Sequence, residues 1–204
     1  MPGDIPQRMK RLFSALALLA ALAGCEQVVT QTAEYEPTEA GTVDHAMCLL
    51  GFAAVPLREL VTGHHLVEVT LNGRKAQFVL DTGANRSVLH APYAEQFGLS
   101  KGATVPGAAV GIGGSMKAKL VPVERLEIGA MPIRQSRIMT ADLSQLTKLL
   151  GPLSGGSVYG LVGQDVMKEH RAVIDVSKPI LYLMRADKDP APVAAERCRK
   201  AQKS

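Results

Sequence analysis

The stretch Phe78-Val79-Leu80-Asp81-Thr82-Gly83-Ala84-Asn85-Arg86-Ser87-Val88-Leu89 decides the reading of this chain. An apolar strand delivers a carboxylate to a tight turn, and Gly83 lets the backbone there approach its neighbours closely. Asp-Thr-Gly alone arises by chance in about one chain in twenty-five of this length, so its surroundings carry the weight. Upstream, residues 65–71 alternate apolar and polar with a period of two, as a half-buried strand does. Asn72-Gly73 follows, the strongest short hairpin signal, and residues 76–80 return from it straight into Asp81.

Downstream the strand signals continue. Residues 105–123 and 125–128 read as strand segments around Gly111-Ile112-Gly113-Gly114, and residues 132–140 as another. Residues 172–175 and 180–183 form a last hairpin across Ser177-Lys178-Pro179. Short helices are expected over 91–97, within 141–150 and over 163–170, with a flexible loop at 151–156. Many short strands with turn signals predict an all-β fold, a small closed barrel with one or two short helices.

The N-terminal segment has a different character. Arg8, Lys10 and Arg11 precede a run from Leu12 to Leu22 that is apolar except for Ser14. That run is short for a membrane span and fits the apolar region of a signal peptide, starting at Met1 or Met9. It ends in Leu22-Ala23-Gly24-Cys25, which resembles the bacterial lipobox. The resemblance implies cleavage before Cys25 and lipidation of its thiol, which anchors a protein to a membrane. Glu26, in place of an Asp, implies an outer-membrane lipoprotein facing the periplasm of a Gram-negative envelope. The domain boundaries follow: signal peptide 1–24, polar tether 25–47, folded domain 48–186, polar tail 187–204 with a short helix near 194–201.

The net charge of +4 falls to about +2 once Arg8, Lys10, Arg11 and Asp4 are removed with the signal segment. Scattered bases, four Phe, four Tyr and no Trp argue against nucleic acid as a partner. With Cys25 lipidated, Cys48 and Cys198 remain in an oxidising compartment, either as a disulfide or as two free thiols. His64, His65 and His170 lack zinc-site spacing, and no metal or cofactor is expected. Ser87 and Ser115 lack His-Asp partners in the sequence, so a serine nucleophile is not expected.

Residues 79–89 resemble the active-site segment of retropepsin-like aspartic proteases. Gly111 to Gly114 resembles their glycine-rich flap tip. Gly160-Leu161-Val162-Gly163-Gln164-Asp165-Val166-Met167 resembles the segment that packs beside the active-site loop. The final hairpin also matches bacterial aspartyl protease domains, and the likeness spans about residues 56–184. It implies Asp81, Thr82 and Gly83 as the catalytic motif, with Ala84, Asn85, Ile112, Gly113 and Gly114 lining a peptide site. A single Asp-Thr-Gly supplies half of a two-carboxylate site, so the resemblance implies a homodimer acting on a peptide or protein substrate. The Thr82 hydroxyl would bond across the two-fold axis. Viral members pair an Asp with an Arg at the positions of Asn85 and Gln164, so that ion pair is absent here. In the viral fold both chain ends meet at the dimer interface, and a Cys48–Cys198 bridge would close there within one chain or across two. The other reading is a catalytically silent binding or scaffold lipoprotein of the same fold.

Overall fold

The structure, a computed structural model, describes residues 41–99, 102–111, 114–186 and 194–198. The expected signal segment with Cys25, most of the tether, Ile112 and Gly113 at the flap tip, and most of the tail lie outside the described residues.

The chain is mostly strand. In order it forms α1 (Val43–Leu49), β1 (Ala53–Pro56), β2 (Arg58–Glu59), β3 (His65–Leu71), β4 (Arg74–Leu80), β5 (Val88–His90), β6 (Ala103–Gly111), β7 (Gly114–Pro122), β8 (Leu126–Ile128), β9 (Met131–Pro132) and β10 (Arg137–Ala141). Then come α2 (Ser144–Leu150), β11 (Val158–Val162), α3 (Gln164–Glu169), β12 (Val173–Asp175) and β13 (Ile180–Leu183). The large sheet has the order β6-β7-β10-β5-β11-β4-β3-β8-β9, with β2 beside β3, and a small sheet has the order β1-β13-β12.

The β3–β4 hairpin turns at Asn72 (φ 47°) and Gly73 (φ 80°), the two positive φ values that such a tight turn needs. The Asn72 side chain secures it. Its Oδ1 accepts from the Glu124 and Arg125 N–H groups, both at 3.1 Å, and its Nδ2 donates to Phe97 O at 2.9 Å.

Three strands around the Asp81 loop are buried on both faces where they approach it. Phe78, Leu89 and Val162 belong to one apolar core, while their neighbours Val79, Val88 and Leu161 belong to the other. That is why Phe78–Leu80 of β4, Val88 and Leu89 of β5, and Leu161 and Val162 of β11 read as continuous apolar stretches. Each such side chain contributes about 1.5–3 kcal/mol by leaving water.

Several elements differ from expectation. Residues 91–97 form two 3-10 turns, Ala91–Tyr93 and Glu95–Phe97, in place of one helix. Pro92 starts the first, and Gly98 closes the second in the left-handed region. The strand expected over 132–140 is interrupted. After β9 the chain leaves the ladder, with Ile133 N–H bonding Leu126 O, and re-enters at Arg137. The loop at 151–156 contains a 3-10 turn, and the buried Ser154 hydroxyl bonds the carbonyls of Gly151 and Gly156.

The folded unit also begins before the expected boundary at residue 48. Residues 43–47, read as the end of a tether, belong to α1, which Thr42 caps by accepting from His45 N–H. Buried Asp44 accepts from the Tyr182 hydroxyl and pairs with Lys178 Nζ at 3.3 Å, while Met47 packs on Ile180 and Tyr182. A disulfide joins Cys48 to Cys198 within the chain, with Cα atoms 5.8 Å apart. Cys198 ends a 3-10 turn, Ala195–Cys198, inside the region read as the tail's short helix.

Candidate active site

β11 lies between β4 and β5. It runs parallel to β4, with Leu161 opposite Val79 and Val162 opposite Leu80. It runs antiparallel to β5, with Leu161 opposite Val88. The segment from Asp81 to Ser87, which joins β4 to β5, must therefore cross the C-terminal end of β11. This arrangement brings the Asp81 motif and the Gly163 segment into direct contact.

The crossing is pinned at both sides. Asp81 N–H donates to Val162 O at 2.9 Å, and Gln164 N–H donates to Ala84 O at 2.8 Å. Gly163 has an ordinary extended backbone, so its role is one of space. A Cβ there would stand 2.5 Å from Arg86 C and 2.8 Å from Ala84 O. Gly160 is equally confined, since a Cβ would collide with Val88 O and the Phe78 ring. Gly163 lets the loop lie directly on the end of β11, and Gly160 lets β11 seat between Phe78 of β4 and Val88 of β5.

Asp81 is half-buried, while Thr82 and Gly83 are exposed. The Gly83 N–H donates to Asp81 Oδ1 at 2.9 Å and orients the carboxylate. Among the described residues the Thr82 hydroxyl makes no hydrogen bond. Ala84 is half-buried and Asn85 is exposed beside them. The Gln164 side-chain amide donates to Thr82 O at 2.7 Å, so it fastens the loop within its own chain where viral members use an ion pair.

A brace that sequence reasoning missed stands under the loop. In the sequence Ser87 lacks His-Asp partners, and Asp165 is only one residue of the segment expected beside the active-site loop. In the fold the Ser87 hydroxyl accepts from Gly163 N–H at 2.9 Å and donates to Asp165 Oδ1 at 2.7 Å. The direction is fixed, because an amide N–H only donates and a carboxylate only accepts. Asp165 also receives the Ser87 N–H at 2.9 Å and the Val166 N–H at 2.9 Å. A small hydroxyl residue at the loop's end and an acid just after Gly163 were the available signals.

The flap hairpin is formed by β6 and β7, closed by the Gly111–Gly114 pair. Its root connects to the site through β10. That strand pairs with β7, Met139 facing Leu120, and with β5, Met139 facing Val88.

No curated protein sequence matches the chain. Among solved structures, the chain is similar to EIAV protease complexed with the inhibitor HBY-793, with 20% identity over 53% of this chain and 89% of that one and a TM-score of 0.41. It is also similar to a retropepsin-like aspartic protease from Rickettsia conorii, with 19% identity over 65% of this chain and 90% of that one and a TM-score of 0.47. The family model described as aspartyl protease matches residues 67–166, which hold the β3–β4 hairpin, the Asp81 loop, the flap strands and the Gly163 crossing. Residues 67–166, the segment built around Asp81, thus carry the likeness to the aspartyl protease family.

Proposed function

We propose that the protein is an aspartic-type endopeptidase that works as a homodimer, with Asp81 of each copy forming the catalytic pair. The observation that carries this reading is the open rim of the loop. Asp81 is reachable, Thr82 and Gly83 are exposed, and the Thr82 hydroxyl is left without a bond among the described residues. A second copy facing this rim across a two-fold axis would bring two carboxylates together. Like charges that close cannot both ionise, so the pair would hold one proton. The ionised carboxylate takes a proton from water as the water attacks the scissile carbonyl. The protonated one donates to the carbonyl oxygen; as the C–N bond breaks, the proton taken from water passes to the leaving nitrogen and a hydroxyl of the tetrahedral intermediate returns one proton to the pair. The flap would close over an extended peptide and exclude solvent.

The test uses the full chain in mild detergent with a peptide library, from acidic to neutral pH. Cleavage should vanish in Asp81→Asn, and the active species should have twice the mass of one chain. Cleavage that survives Asp81→Asn ends this reading, and an active monomer ends the shared pair. A second reading, a peptide-binding lipoprotein without turnover, draws on the Gln164 amide standing where viral members carry an ion pair. Peptide binding with no cleavage at any pH would favour it.

The same proposal places the protein on the periplasmic side of the cell envelope, in the outer membrane, held by lipid on Cys25. Cys25→Ser should move it from the membrane to the soluble fraction, and an unchanged distribution would refute the anchor.

A further inference from the structure

A cavity of about 640 Å³ opens beside the Asp81 loop, between that loop, α3 and the start of β10. Its floor includes Leu120 and Met139, the facing pair that ties the flap strand β7 to β10. Its charged lining comes from three separate parts of the chain. Arg86 belongs to the Asp81 loop, Arg134 and Arg137 to the turn and strand after β9, and Asp165 and Glu169 to α3.

These charges are not equally committed. Asp165 is occupied by Ser87 and Val166, and exposed Glu169 is, among the described residues, the one uncommitted carboxylate of the lining, against three arginines. Arg86, Arg134 and Arg137 are exposed, and among the described residues none of their side chains makes a hydrogen bond or ion pair. Three guanidinium groups that stay charged at any physiological pH thus share one concave lining with their donors unspent. A guanidinium presents a planar fork that matches a carboxylate through two parallel bonds, and a neutral amide cannot return that geometry.

The cavity also lies within reach of the reacting centre. Five peptide units separate Asp81 from Arg86, at most ~17 Å of chain. An extended peptide advances ~3.3 Å per residue, so a substrate side chain entering here lies within about five residues of the bond held at Asp81.

We propose that this groove binds an acidic side chain, Asp or Glu, of an extended peptide, with Arg86, Arg134 and Arg137 as specificity-determining residues. The inference rests on the endopeptidase reading for its role but not for its chemistry. The experiment separates the two. The full chain carrying Asp81→Asn, in mild detergent, is titrated with fluorescent peptides that differ only by Glu or Gln at one position. A third peptide of the set carries Lys at the same position. At one position Glu should bind about tenfold tighter than Gln at low salt, and the advantage should shrink as salt rises. Arg134→Gln/Arg137→Gln should erase the advantage. Arg134→Glu/Arg137→Glu should turn it into a preference for Lys, which a merely unfolded variant would not do. Equal binding of Glu and Gln peptides at every position overturns the groove, as does a Glu preference that survives both double variants. A parallel cleavage assay uses the chain with Asp81 intact. Cleavage without a Glu preference sinks the groove and leaves the protease. Glu-dependent binding without cleavage sinks the protease and leaves the groove.

Discussion

Ser87 and Asp165, 78 residues apart in sequence, hold each other through the Ser87 hydroxyl at 2.7 Å and the Ser87 N–H at 2.9 Å. The same hydroxyl receives Gly163 N–H, so one small side chain joins the end of the Asp81 loop to the start of α3. Ser87→Ala leaves a buried N–H unpaired and removes one donor from the carboxylate. We expect a loss of about 2 kcal/mol, read from the urea midpoint. Asp165→Asn keeps one acceptor oxygen and should cost about half as much. An unchanged midpoint in Ser87→Ala would remove the brace.

Gly163→Ala should be more damaging, at about 3 kcal/mol, because the added carbon meets backbone on the Asp81 loop and not a side chain that can turn away. Gly156→Ala is the matched control, since nothing lies within 4 Å of a Cβ there. Thermal melting of both variants checks this. Equal melting points would show that the loop can lift off β11 freely.

Asp175 supplies a pH dependence. Its carboxylate accepts from the Ser177 hydroxyl, which holds its pKa below the usual value, with the Lys178 and Ser177 N–H groups adding to the effect. A depressed pKa stabilises the fold above the ordinary carboxylate pKa, and the gain is lost as pH falls through the lowered value. Ser177→Ala should therefore reduce stability at neutral pH by about half a kcal/mol, a small effect because the turn is solvated. The difference between the two proteins should fade below about pH 4. Melting curves from pH 7 to pH 2.5 measure it, and a gap that widens in acid would contradict the assignment.

Reduction should weaken the domain as a whole. The Cys48–Cys198 bond closes a loop with a sequence separation of 150, for which chain entropy gives up to about 5 kcal/mol. Cys198→Ser, or a reductant, should lower the melting point by many degrees. If the melting point does not move, the bond contributes nothing to the fold.

Much of the fold was legible because its signals are local. Asn72-Gly73 states its own turn, and β3 states its period of two. The Gly163 segment was legible through family resemblance, and its physical cause, a loop lying on a strand end, became visible only in three dimensions. What stayed hidden depends on partners far away in the chain. α1 is too short to announce itself, and its cause is Asp44 meeting Tyr182 and Lys178. The arginine groove gathers Arg86, Arg134 and Arg137 from segments with no shared pattern. Pro92 is tolerated at the start of an α-helix, so nothing local distinguished the two 3-10 turns from the helix expected there.

The insertion of β11 between β4 and β5 has a consequence in time. A chain made from its N-terminus carries Asp81 long before Val162, Gly163 and Asp165 exist to support it. Until that later segment arrives, β4 and β5 lack the strand that separates them, and the loop lacks everything it rests on. The unfinished polypeptide thus holds the motif without its shape.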